Sequence, residues 1–138
     1  MEIIVEHLGA VQFQIRTRGH SIVSDQPVNS GGFDEGMTPP ELLLASLGSC
    51  AGYYAAEYLR KKKLASEGTT VRVTSGKVTK PIPRMTDFMV EVTAPLDLNA
   101  EQLKGMEDAV SHCLVHNTLL NPPKIAVKVA GAKVLVNK

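Results

Sequence analysis

Tryptophan is absent from the 138 residues, and phenylalanine and tyrosine number three each. A core must then be assembled from Leu, Val, Ile, Met and Ala, and a broad aromatic recognition surface is excluded. An excess of charge of either sign is also missing: 15 Lys and Arg stand against 14 Asp and Glu, a formal net charge of +1. That balance has nothing to attract a polyanion, so nucleic acid is not an expected partner. No run approaches the ~20 continuous apolar residues of a membrane span, so no membrane partner is expected either. The N-terminal Met-Glu-Ile-Ile-Val-Glu-His lacks the basic flank and long apolar stretch of an export signal. A cytoplasmic protein is the expectation. Cysteine is scarce, with two residues, Cys50 and Cys113. In a reducing compartment a static disulfide between them is disfavoured, which leaves inert core thiols or redox chemistry.

The composition that remains is 43% hydrophobic and 21% charged, as expected of a soluble globular protein. A chain of this length forms one domain, residues 1–138, and buries roughly two-thirds of its unfolded surface. Its longest apolar-rich stretch runs from Thr38 to Lys63, and its punctuation predicts a helix. Thr38 suits the cap, Pro39 the first helical position, and Glu41 stands three residues after Thr38, the spacing of a capping box. Arg60, Lys61, Lys62 and Lys63 put positive charge at the helix C-terminus, where the dipole is negative, although an anion site is an alternative use for that run. Leu42, Leu43, Leu44 and Leu47 cover more than one stripe of this helix, and Ala45, Gly48 or Ser49, Gly52 and Ala56 form a small-residue face. Such a helix should be enclosed on several sides, in part by a second subunit.

Before it, Met1 to Asp25 alternates as a strand meander does, with a turn at Gly9-Ala10 and with Val11, Phe13 and Ile15 set against Gln12, Gln14 and Arg16. By the same parity Arg16 and Arg18 leave one face together. Gln26 to Met37 is a glycine-rich loop. After the helix, Thr69 to Lys80 and Met85 to Thr93 alternate on either side of Pro81-Ile82-Pro83, an antiparallel pair. Asn99, with Gln102 in the reciprocal position, caps a second helix that carries Leu103, Met106, Val110, Cys113 and Asn117 at helical spacing and stops at Asn121-Pro122-Pro123. Ile125, Val127 and Val129, then Val134 and Val136, predict a closing strand or hairpin. The order is that of an α+β fold, with helices covering one face of mainly antiparallel sheet.

Two constellations can carry chemistry. Cys50 lies mid-helix and Cys113 on the core stripe of the second helix, so packing of those stripes would bring the sulfurs together; burial as two small hydrophobes accounts for them equally. Asp108, His112 and His116, four apart on one helix face, have the spacing of metal ligands, but a solvated polar face gives the same pattern.

The motifs Thr-Pro-Pro-Glu-Leu-Leu-Leu-Ala-Ser-Leu-Gly-Ser-Cys50 and Ser-His-Cys113-Leu-Val-His-Asn-Thr-Leu, preceded by Arg-Gly-His-Ser-Ile-Val-Ser-Asp, resemble those of the OsmC/Ohr family of organic hydroperoxide resistance proteins. The resemblance spans nearly the whole chain. It implies an OsmC-like fold, an intertwined homodimer with sheets wrapped around two central helices, and a cofactor-free thiol peroxidase. It implies that Cys50 attacks an organic hydroperoxide, that Cys113 resolves the sulfenic acid to a disulfide, and that a dithiol reductant restores both thiols. It further implies an arginine, best matched by Arg18 with Arg16 close by, and a glutamate, for which Glu41 is the candidate. Glu41 stands one residue after the position used in the hydroperoxide-resistance branch, and Leu114 replaces that branch's usual proline, so the likeness is to the broader OsmC-like branch. A binding or carrier protein on the same fold is the alternative from another class.

Chemistry says where such a site must gain its rate. Lowering a thiol from about 8.5 to about 6 raises its thiolate fraction at neutral pH roughly 30-fold. If nucleophilicity falls with basicity at a slope of ~0.4 to 0.5, about tenfold of that is lost. Positioning the peroxide and stabilising the leaving alkoxide must supply the rest. An apolar pocket of Met37, Leu43, Leu47 and Tyr54 is expected to favour alkyl or lipid hydroperoxides.

Overall fold

The N-terminal alternation folds into a three-stranded antiparallel meander in the computed structural model, which describes residues 1–132. Strands β1 (Ile4–Gly9), β2 (Gln12–Thr17) and β3 (His20–Ser24) lie in that order, with Ile15 of β2 opposite both Val5 and Ile22. Arg18 and Gly19 form the β2–β3 turn with φ of 50° and 90°, the left-handed pair that suits the twist of a tight hairpin. The shared parity of Arg16 and Arg18 is therefore corrected. Arg16 stays in register and ion-pairs with Glu6 on β1, whereas the turn removes Arg18 from the strand.

The following loop winds around a buried carboxylate. Asp25, 1% exposed, accepts hydrogen bonds from Gln12 Nε2 at 3.0 Å and from the backbone N–H groups of Gln26 at 2.7 Å and of Phe33 and Glu35 at 3.1 Å. At Gly32 the loop closes so tightly that a Cβ would stand 1.9 Å from the Gln26 carbonyl oxygen, so no larger residue fits. Burial pushes the Asp25 carboxyl up, but the Gln12 side chain and the three amides outweigh it and hold the pKa at about 2, below its ordinary 3.8. A depressed carboxylate stabilises the fold fully above its unfolded pKa and loses that effect as pH falls through its folded one. Asp25→Asn is accordingly expected to melt below the wild type at neutral pH. The gap should close as pH drops from about 4 toward about 2 in paired thermal melts.

Helix α1 (Pro39–Lys61) begins as its sequence predicts, with Thr38 Oγ1 accepting from the Glu41 N–H and Glu41 Oε2 accepting from the Thr38 N–H. Its small-residue face is occupied by this same chain. Strands β4 (Thr70–Val78) and β5 (Arg84–Thr93) form an antiparallel pair against which α1 packs. A Cβ at Gly48 would stand 2.9 Å from Val73 Cγ2, so glycine sets how closely the helix approaches β4.

The predicted second helix is two. Helix α2 (Ala100–Val110) carries the Asn99–Gln102 capping box, the chain turns at Ser111, and α3 (Leu114–Leu120) starts from Cys113 as its cap. Helical periodicity runs through the break because the residues on both sides still face α1. Ala55, Leu59 and Met106 form the buried core cluster, with Tyr58, Val92, Leu96 and Leu98 packed against it. Leu59 is fully buried, and Leu59→Ala is expected to cost about 3–5 kcal/mol of unfolding free energy, measured by denaturant titration at fixed protein concentration.

The closing strand is also corrected. Ile125, Val127 and Val129 alternate as predicted but have no strand partner among the described residues, and they are 86%, 81% and 93% exposed. A strand needs a facing edge for its backbone groups, and this segment meets none among the described residues. Val134 and Val136 lie outside the described residues. Among the described residues no helix is long and apolar enough to cross a membrane.

Candidate active site

Cys50 sits midway along α1, half-buried, on the side that meets α3. Cys113 reaches it from the break between α2 and α3, where it is fully buried rather than placed on a helix stripe. The break supplies unpaired backbone donors. In the first turn of α3 the His116 N–H donates to Cys113 Sγ at 3.4 Å.

These donors divide the two thiols. Burial pushes the Cys50 thiol up, but the neighbouring Cys113 thiol and the polar amides of Val115 and Leu114 outweigh it and bring it below its ordinary value. Burial raises the Cys113 thiol, and the hydrogen bond it donates to Cys50 raises it further against the lowering effect of the His116 amide. Of the two sulfurs, the more accessible one is thus the easier to ionise. A nucleophile beside a thiol in bonding reach is the arrangement that a sulfenic acid followed by a disulfide requires.

The other expected residues lie elsewhere in the chain. Arg18 stands at the β2–β3 turn, beside a shallow hollow lined by Glu2, Ile4, Arg16 and His20. Glu41 is engaged in the α1 cap, nine residues before Cys50, which is ~13.5 Å along a helix axis. Of the expected apolar pocket, Leu47 is buried in the fold, while Met37 and Leu43 are open to solvent at 49% and 36%. The Asp108, His112 and His116 face is broken at Ser111: Asp108 pairs with Lys104, and the Nδ1 of His112 lies against the Asp108 carbonyl oxygen at 2.8 Å. No three such side chains among the described residues are arranged to hold a metal ion.

Sequence reasoning missed three contributors. Periodicity carried the helix through the break and so hid the Leu114 and Val115 amides. Asn117 was read as a stripe residue, yet its side chain bonds back to the Ser111 carbonyl oxygen. Asp25, directly ahead of a glycine-rich loop, is the anchor of that loop, a role that strand alternation alone does not signal.

The OsmC-like protein family matches residues 32–128. In structure the chain is similar to a Psychrobacter arcticus 273-4 protein proposed to be an osmotic stress induced and detoxification response protein. That likeness has a TM-score of 0.76 and 24% identity over 84% of this chain and 85% of that one. The OsmC-like protein of Mycoplasma pneumoniae gives a TM-score of 0.71 at 19% identity, over 88% and 87% of the two chains. An organic hydroperoxide resistance protein from Elizabethkingia anophelis gives 0.62 at 17% identity, over 88% and 90%. No curated protein matches the chain. The likenesses carry the α+β fold, and the family match over most of the length carries the conclusion that this chain belongs to the OsmC-like family.

Proposed function

We propose that the protein is a thiol-dependent reductase of organic hydroperoxides, acting as a cytoplasmic homodimer without a cofactor. The observation that carries this reading is the approach of the fully buried Cys113, at the α2–α3 break, to the more accessible Cys50, whose thiol is brought below its ordinary value while that of Cys113 is raised. In the first step the Cys50 thiolate attacks the distal peroxide oxygen. The O–O bond breaks, the alkoxide leaves with the bonding pair and takes a proton from solvent, and Cys50 becomes a sulfenic acid. Cys113 then attacks the Cys50 sulfur, the S–O bond breaks, and hydroxide leaves as water with the Cys113 proton. A dithiol reductant supplies two electrons and two protons to reopen the disulfide.

The homodimer is supported by what one subunit leaves uncovered. Among the described residues β1 is exposed along its whole length, both sheets have free edges, and Ile125, Val127 and Val129 have no strand partner. Apolar surface on that scale is covered by a partner in soluble proteins. In this reading the site is completed at the subunit interface by Arg18 of the partner subunit, and Glu41 serves the helix cap. Similarity to a hydroperoxide resistance protein supports the substrate class. The test is turnover of tert-butyl or cumene hydroperoxide with dithiothreitol as reductant. Turnover well above the dithiothreitol background supports the reading. Absence of turnover, with Cys50 unreactive and a small molecule retained through purification, would favour a carrier on the same fold.

A further inference from the structure

Helices α1 and α2 start from oxygen caps, the side chains of Thr38 and Asn99, each in a full capping box. Helix α3 starts from a sulfur. Cys113 Sγ accepts the His116 N–H at 3.4 Å, so one of the two thiols is also the N-cap of a helix. That helix depends on its first turn. It has seven residues, none of them buried, and so short a helix is marginal without support at its ends. Leu114, at its start, is 66% exposed.

We infer that oxidation of the cysteine pair uncaps α3, a redox-sensitive switch in which the disulfide loosens the helix that follows it. The bond itself rests on the two-cysteine reading above; its effect on α3 rests on the cap. When the bond closes, the two thiols give up two electrons and two protons to the oxidant. Cys113 Sγ turns from the His116 N–H toward α1, and a sulfur bonded to sulfur carries no charge to strengthen its weak acceptance. The His116 amide is then an unsatisfied donor at a helix start. The Cys113 backbone is held from both sides, its N–H on the Val110 carbonyl and its carbonyl on the Asn117 N–H, each at 3.0 Å. The change therefore falls on the side-chain cap and the first turn of α3, and α2 is spared.

The test is hydrogen exchange of the full-length protein, read by mass spectrometry on peptides spanning Leu114–Leu120, before and after oxidation with one equivalent of diamide, which takes up the two electrons and two protons. Loss of the cap is expected to lower protection of the α3 amides roughly fivefold, while peptides from Ala100–Val110 stay unchanged. A disulfide acting only as a cross-link would raise protection instead. Reduced Cys113→Ala should show the same loss without any oxidant, and reduced Cys113→Ser, whose hydroxyl can cap, should not. Equal or greater protection of α3 in the disulfide form would overturn the inference, as would a reduced Cys113→Ala protected like the wild type. Should Cys113→Ala not fold, Cys50→Ser decides in its place: it keeps the cap and cannot form the bond, so a loss with diamide equal to that of the wild type would overturn the inference. A non-reduced digest reports separately whether the Cys50–Cys113 bond has formed. A bond without loosening of α3 sinks this inference alone, whereas no bond with diamide sinks the two-cysteine reading and this inference with it.

Discussion

Cys50→Ser is expected to abolish hydroperoxide turnover, with a loss of at least about 10³-fold in kcat/KM. The size follows from the chemistry of the attacking atom. A serine hydroxyl is almost wholly protonated at neutral pH, whereas a thiol ionises far more readily and the surroundings of Cys50 lower it further. Replacing sulfur by oxygen also removes the soft nucleophile on which cleavage of the O–O bond depends. The fold should survive, because Ser49 and Ser46 already sit on this helix with their hydroxyls bonded to carbonyls three residues earlier. Steady-state consumption of cumene hydroperoxide, beside a thermal melt of the same preparation, separates lost chemistry from lost structure.

Cys113→Ser is expected to fail at a different step. Serine keeps an O–H donor toward Cys50, so the ease of ionising Cys50 is largely kept and the first hydroperoxide is still reduced. The sulfenic acid then has no thiol partner inside the subunit. A burst of one equivalent should be followed by steady turnover at least about 10²-fold below the wild type, with Cys50 carrying one added oxygen and, under excess peroxide, more. Burial of Cys113 sharpens this expectation: a fully enclosed thiol with a raised pKa is a poor first nucleophile and a protected second one. If Cys113→Ser lost the burst as well, the order of the two cysteines would have to be reversed.

Much of the fold was legible because it is written in local punctuation. Thr38, Pro39 and Glu41 start α1 where their spacing says, Asn99 and Gln102 start α2, and the Pro81-Ile82-Pro83 interruption divides β4 from β5. What was not legible depends on where backbone groups go after the side chains have packed. Val110, Cys113 and Asn117 keep a helical period through a break, because period reports which way a residue faces and not which carbonyl its amide meets. That break creates the donors that distinguish the two cysteines. Arg18 shares a parity with Arg16 that a turn of two left-handed residues cancels. Ile125, Val127 and Val129 spell a strand in composition, and a strand requires an edge that the described part of this subunit does not provide. The same gap separates Arg18 from Cys50, and the second subunit is proposed to fill both.

The central claim is that Cys50 and Cys113 form a working redox pair, and it is tested most directly by adding one equivalent of cumene hydroperoxide to reduced protein. The thiols are then blocked, and the non-reduced digest is read by mass spectrometry. The account predicts stoichiometric conversion to a peptide pair joined through Cys50 and Cys113, reversed by a dithiol and absent in either serine variant. Recovery of both cysteines as unmodified thiols, with the hydroperoxide unconsumed, would contradict it.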